Sequence, residues 1–203
     1  MSRARPSGAD ADRWLEPWWP QLAAAAAHAP VLELGCDTGG DTRWLVERGL
    51  RVVATDIDAA ALQACARAAP AALQVRHDLR TPLPFADGTF GAVVASLCLH
   101  YFDWATTERA VAEVRRCLVP GGLLLCRLNS VRDVLHGALD GDEIEPGLRR
   151  VHGTYAVDKR FFARPDLERL LPAAAWRWHA CREQTIHRYA QPKVAWELVL
   201  TPG

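Results

Sequence analysis

Five short apolar runs, each separated from the next by a longer segment, constrain this chain more than any other feature. They lie at 31–34, 51–55, 73–76, 90–95 and 123–128, and contain VVA, AVVA and LLLC without polar interruption. Strands that apolar are buried on both faces, which is the habit of a parallel sheet covered by helices. Helices are predicted at 41–48, 59–68 and 106–118, so strand and helix alternate as in an α/β domain. Asp41 is expected to cap the first helix and Gly49 to end it, while Asp58 opens the second. At 203 residues, half of them hydrophobic, the chain suits one domain with a full core.

Beyond Asn129 the pattern changes. Residues 130–165 are rich in Gly, Asp, Glu and Arg and read as an insertion over the sheet's edge. A short helix is expected at 166–171. Segments 176–185 and 193–201 then read as an antiparallel hairpin turning near Pro192, which brings the sheet to seven strands with the last antiparallel. Residues 1–12 read as a disordered leader and 13–203 as a single domain with that insertion.

Charge and composition exclude several function classes. Basic and acidic residues balance at 24 each, without the basic surplus of a nucleic-acid binder. The six cysteines form no C-x-x-C pair and read as reduced, structural thiols. The seven histidines show no H-x-x-x-H spacing, so no metal is expected. The alanine run Ala23 to Ala27 is too short to span a membrane, and no secretory signal is seen. A cytoplasmic protein without a membrane partner follows, as monomer or homodimer.

The segment VLELGCDTGGDT places a tight turn between the first strand and the first helix, where open α/β sheets bind ligands. A dinucleotide fingerprint would fall on Gly35, Asp37 and Gly40. Asp37 then stands where the backbone must approach a pyrophosphate, a like-charge clash that argues against NAD or FAD. No G-K-[ST] follows, which removes a P-loop. A phosphate-free, cationic nucleotide would instead be favoured by Glu33 and Asp37.

The acid followed by spaced glycines, Glu33, Gly35 and Gly39, resembles the first motif of the class I S-adenosylmethionine-dependent methyltransferases. Asp37 departs from the glycine commonest there. The likeness continues through ATDID, RHDL, PLPFADGTFGAVVASLCLHYF and VRRCLVPGGLLLCRLNS, covering residues 31–129. It implies a Rossmann-like fold, with S-adenosylmethionine as cofactor and S-adenosylhomocysteine as product. It also implies that Glu33, Gly35, Cys36, Asp37 and Gly39 line the cofactor turn. By the same likeness Asp56 would accept the ribose hydroxyls and Ile57 would pack on adenine. Asp78, beside Leu79, would receive the adenine amino group, and Ser96 and Leu97 would border the methyl-transfer cleft.

Methyl transfer needs a general base only if the acceptor loses a proton. His100 is the candidate, with packing as the alternative role, and Tyr101 and Phe102 are expected as walls. Trp14, Asn129, Tyr155 and Arg160 are candidate acceptor contacts, with Ser130, Lys159 and Phe161 nearby. The same residues suit an ordinary lid, and Trp14, Trp18 and Trp19 suit a hydrophobic staple. The chain lacks N-P-P-[YF] and P-C segments. A small-molecule acceptor is expected, and no nucleic acid. A non-catalytic cofactor-binding protein and a dinucleotide oxidoreductase stand as alternatives.

Overall fold

The computed structural model describes residues 13–152 and 156–203; the leader expected at 1–12 and the candidate Tyr155 lie outside them. After a 3-10 turn at Glu16–Trp18 comes α1 (Trp19–Ala25). Then β1 (Val31–Leu34), α2 (Gly40–Val46), β2 (Val52–Asp56), α3 (Ala59–Ala68), β3 (Leu73–Arg76) and β4 (Phe90–Ser96) alternate in sequence. They are followed by α4 (Trp104–Cys117) and β5 (Leu118–Asn129). The expected insertion holds β6 (Asp142–Glu145), β7 (Leu148–Val151) and β8 (Val157–Arg160), and α5 (Arg164–Leu170), β9 (Trp176–Ile186) and β10 (Lys193–Pro202) complete the order.

The main sheet has seven strands in the order β3-β2-β1-β4-β5-β10-β9. β10 runs antiparallel to both of its neighbours, and β1 to β5 are mutually parallel. The predicted architecture and closing hairpin are therefore present.

Pleating divides the sheet's side chains between two cores. Leu124, Cys126 and Leu128 of β5 join Val111 and Val114 of α4 and Leu167 and Leu170 of α5. Leu123 and Leu125 face the other way, onto Leu22 of α1, Leu45 of α2 and Trp14. Strand order reverses between β1 and β4, which opens a crevice at the carboxyl ends of these strands.

Two expectations need correction. Asp41 does not cap α2: the cap is Gly39, in the left-handed region, and the Asp41 carboxylate accepts from Trp14 Nε1 at 2.9 Å. Helix α4 begins at Trp104 rather than 106, because Asp103 Oδ1 accepts the Thr106 N–H at 2.7 Å and so opens the helix earlier. The insertion expected at 130–165 carries structure of its own. Its three strands form an antiparallel sheet, which short, largely charged runs concealed.

The end of β8 and the residues that follow it seam this small sheet to the domain. Arg160 N–H donates to His100 O at 2.6 Å and Phe162 N–H to Asn129 O at 2.9 Å. Asp58 does cap α3, accepting from Ala60 N–H at 2.8 Å. Among the described residues no helix is long and apolar enough to cross a membrane.

Candidate active site

The turn after β1 needs the left-handed backbone region at Gly35 (φ 65°), Asp37 (φ 47°) and Gly39 (φ 83°). A Cβ on Gly35 would stand 2.5 Å from Cys98 Cβ, and one on Gly39 would stand 2.9 Å from the Cys65 backbone. Both positions therefore demand glycine. Asp37 is the exposed member, and aspartate tolerates this region better than most residues. Its N–H donates to Asp56 Oδ2 at 3.0 Å.

Asp56 ends β2 and also accepts the Asp58 N–H on Oδ1 at 2.9 Å. An ionised carboxylate offers about four acceptor sites. Two are used within this turn, and the group is half-buried. Ile57 beside it is 50% exposed, an apolar surface next to a hydrogen-bonding one.

The turn gathers carboxyl groups. Glu33 is buried, accepts the Thr42 hydroxyl at 2.5 Å, and is pushed well above its ordinary pKa of 4.5 by burial, then by Asp41 and Asp56. Burial, with Cys65 and Glu33 adjoining, likewise pushes the Cys36 thiol up, so it stays protonated. Asp78, in the turn after β3, is gripped by Arg80 through Nε and Nη2, at 2.6 Å for the shortest contact, which holds its pKa down. Leu79 packs partly buried against the core below.

At the end of β4, Ser96 Oγ accepts from Arg127 Nε (3.0 Å) and Nη2 (2.8 Å). Leu97 follows in the left-handed region (φ 57°), its N–H held by Arg127 O at 2.9 Å. The Arg127 guanidinium lies 4.4 Å from the Trp14 ring, and Trp14 donates to Asp41. Trp14 therefore bridges the glycine-turn helix and the end of β5.

Beyond β4 and at the end of β5, His100 and Asn129 are buried, and neither His100 Nδ1 nor the Asn129 amide has a hydrogen-bond partner among the described residues. Their carbonyls accept from the same short segment, 160–162, which brings the two loops together. Burial holds the His100 pKa well down, and Lys193 and Lys159 depress it further. The Tyr101 ring lies 4.3 Å from that imidazole, and desolvation pushes its hydroxyl up to about 12.

Arg160 is not presented to the crevice. Its guanidinium pairs with Glu145 and donates to Pro146 O at 3.1 Å and Phe102 O at 3.3 Å, fastening the insertion to the domain. Phe161 is core, Lys159 donates to His136 O at 3.5 Å, and the Ser130 hydroxyl bonds Glu183. Trp18 Nε1 donates to Glu197 at 2.9 Å, and Trp19 meets Trp44 edge-on.

Two features were missed by sequence reasoning. Arg127 interrupts an apolar run as LLLCRLN, a signal that was available. The buried pair of Lys193 with Asp133, at 2.7 Å, joins residues 60 positions apart and left no local sign.

Residues 32–126 match the family model described as a methyltransferase domain. An uncharacterized methyltransferase of Mycobacterium tuberculosis is 37% identical over 60% of this chain and 46% of its own length. A malonyl-[acyl-carrier protein] O-methyltransferase of Enterobacter lignolyticus is 34% identical over 49% of this chain and 39% of its own. The chain thus spans less than half the length of these relatives. Among solved structures, a S-adenosylmethionine-dependent methyltransferase of Methanosarcina mazei superposes with a TM-score of 0.73. It covers 85% of this chain and 91% of its own at 20% identity, a likeness of fold.

Proposed function

We propose that this chain, whose residues 32–126 belong to the class I S-adenosylmethionine-dependent methyltransferase family, binds that cofactor at the glycine turn and methylates a small-molecule acceptor. The observation that carries the reading is the convergence of Glu33, Asp41 and Asp56: burial does most to raise the Glu33 pKa, and the two aspartates raise it further. A ligand with ammonium and sulfonium charges relieves that repulsion, whereas a pyrophosphate would add to it.

When bound, S-adenosylmethionine supplies an electrophilic methyl carbon, so this chain's residues have to bind, orient and exclude water. Asp56 offers its remaining acceptor sites to the ribose hydroxyls, and Ile57 gives the adenine an apolar surface. Asp78 can reach the adenine amino group while sharing its carboxylate with Arg80. Gly35 and Gly39 keep the turn's backbone close to the ligand, with Cys36 and Asp37 between them. Ser96 and Leu97 form the far wall, fixed in place by Arg127.

His100, buried and with two lysines nearby, holds a proton poorly. Its unpartnered Nδ1 suits a neutral hydrogen bond that positions the acceptor better than it suits general-base catalysis. Asn129, with an unpartnered amide, is read in the same role.

Calorimetry with S-adenosylmethionine, S-adenosylhomocysteine and NADH tests the cofactor. Binding of NADH alone would overturn the reading. Release of S-adenosylhomocysteine across thiols, phenols, amines and carboxylates tests turnover. Silence on every acceptor, with tight cofactor binding, would favour a non-catalytic binding protein.

A further inference from the structure

Strand pairing sets the direction of the Asn129 side chain. Arg127, two residues earlier on β5, lies beside Ser96 in register and donates to Ser96 Oγ at 2.8 Å. Asn129 therefore leaves the sheet on the face that Ser96 uses. Its partner across β10 is Ala195, which offers only a methyl group beside the amide. Lys193, two residues along β10, emerges on that face as well, its ammonium held by Asp133 at 2.7 Å.

His100 comes to the same place from the loop after β4. That loop packs on the glycine turn, where a Cβ on Gly35 would stand 2.5 Å from Cys98 Cβ. The carbonyls of His100 and Asn129 accept from Arg160 and Phe162, N–H groups on one edge of one short segment, about 7 Å apart for extended backbone. Three polar atoms thus meet here without a partner among the described residues: His100 Nδ1 and both polar atoms of the Asn129 amide. Buried polar atoms are nearly always bonded, so three on two adjoining side chains call for partners from outside the chain. Because both amide atoms are open, either orientation of the carboxamide presents one donor and one acceptor.

We propose that His100 and Asn129 form the seat for the acceptor's polar group, and that the group they select is an uncharged lactam or carboxamide, in which an N–H stands beside a carbonyl. The assignment rests on the methyl-transfer reading above. The Asn129 amide pairs with such a group through two hydrogen bonds, and His100 Nδ1–H adds a third to the carbonyl's second lone pair. A carboxylate would leave the Asn129 oxygen without a donor, at the cost of a buried unpaired group. An ammonium would meet the two charges that bear on His100, Lys193 and Lys159, both positive. Tyr101, 43% exposed with its ring 4.3 Å from the imidazole, covers the seat and turns aside to admit the ligand.

The test is a ligand-observed NMR titration of the full chain with 2-pyridone, N-methyl-2-pyridone, benzoate and benzylamine, each with and without S-adenosylhomocysteine. 2-Pyridone should bind about tenfold more tightly than the other three. N129L should erase that margin and leave S-adenosylhomocysteine affinity unchanged. It should not lower Tm, because the amide it removes has no partner within the fold. If N129L does not fold, H100L decides the matter by reducing the margin several-fold.

Equal binding of 2-pyridone and its N-methyl analogue, or a margin that survives N129L (or H100L in its place), overturns the seat and leaves the three atoms to ordered water. Absence of 2-pyridone binding overturns it too, as does tightest binding of benzoate, which would mark an oxyanion site. A wild-type chain that discriminates the probes but ignores S-adenosylhomocysteine would instead refute the cofactor reading, and with it the acceptor role of the seat.

Discussion

The backbone N–H of Asp37 donates to Oδ2 of Asp56 across 3.0 Å, tying the turn after β1 to the end of β2. The residue that departs from the usual glycine thus orients the carboxylate to which the proposed function assigns the ribose. Asp56→Ala should weaken S-adenosylhomocysteine binding by about 1–3 kcal/mol, the scale of hydrogen bonds to a charged group. Asp56→Asn, which keeps one carbonyl acceptor, should recover part of the loss. An unchanged dissociation constant in the alanine variant would reduce Asp56 to a turn-builder.

Glu33 gives the ligand-free protein a pH dependence of definite sign. Its folded-state pKa is raised above 4.5, so the folded chain keeps a proton that the unfolded chain has already lost. Stability from this group therefore falls as pH climbs from about 4.5 toward the raised value. Glu33→Gln should flatten that slope in urea titrations while weakening cofactor binding. A cationic ligand should also drive proton release, visible as buffer-dependent binding heat. Heats independent of the buffer would count against the charge-relief argument.

Gly35→Ala should destabilise the fold on two grounds. Left-handed backbone costs a non-glycine residue about 1–2 kcal/mol, and the new methyl meets Cys98 Cβ at 2.5 Å. Adding Cys98→Gly removes the contact and leaves the backbone cost, so chemical denaturation should show partial rescue. Full rescue would mean that the conformation matters little.

Arg160→Met separates a strut from a substrate contact. Loss of the hydrogen bonds to Phe102 and Pro146 and of the Glu145 pair should cost about 1–3 kcal/mol and lower Tm, with acceptor KM unchanged. A raised KM at constant Tm would return Arg160 to the acceptor site.

Burial and two lysines keep His100 neutral across the working range. The kcat–pH profile of His100→Gln should then have the same shape as wild type, with kcat reduced. Disappearance of an acidic limb in the variant would instead establish His100 as the base.

Much of the fold was legible because its signals are local. Apolar runs marked both-face burial, glycines marked the turn, and Asp58 marked the start of α3. Boundaries failed where a side chain acted from outside the pattern, as with Asp103 extending α4 or Trp14 drawing Asp41 away from a cap. The small sheet β6–β8 escaped notice because its strands pair with each other at the surface and have no need of continuous apolarity. The turn could be read from its glycines, while Asp56 and Ile57 were singled out through the family likeness. The buried pair of Lys193 with Asp133 could not be read at all, since its members lie 60 positions apart and meet only in the folded chain.

The placement of β10 bears on how the molecule is made. Although it follows β9 in sequence, it lies inside the sheet, bonded to β5 on one side and β9 on the other. While the chain is still emerging from the ribosome, β5 and β9 therefore each present an open edge, the kind of surface that recruits other chains. Newly made protein should be most prone to aggregate in that interval, and a nascent chain stalled before Lys193 should need a chaperone more than the finished one does.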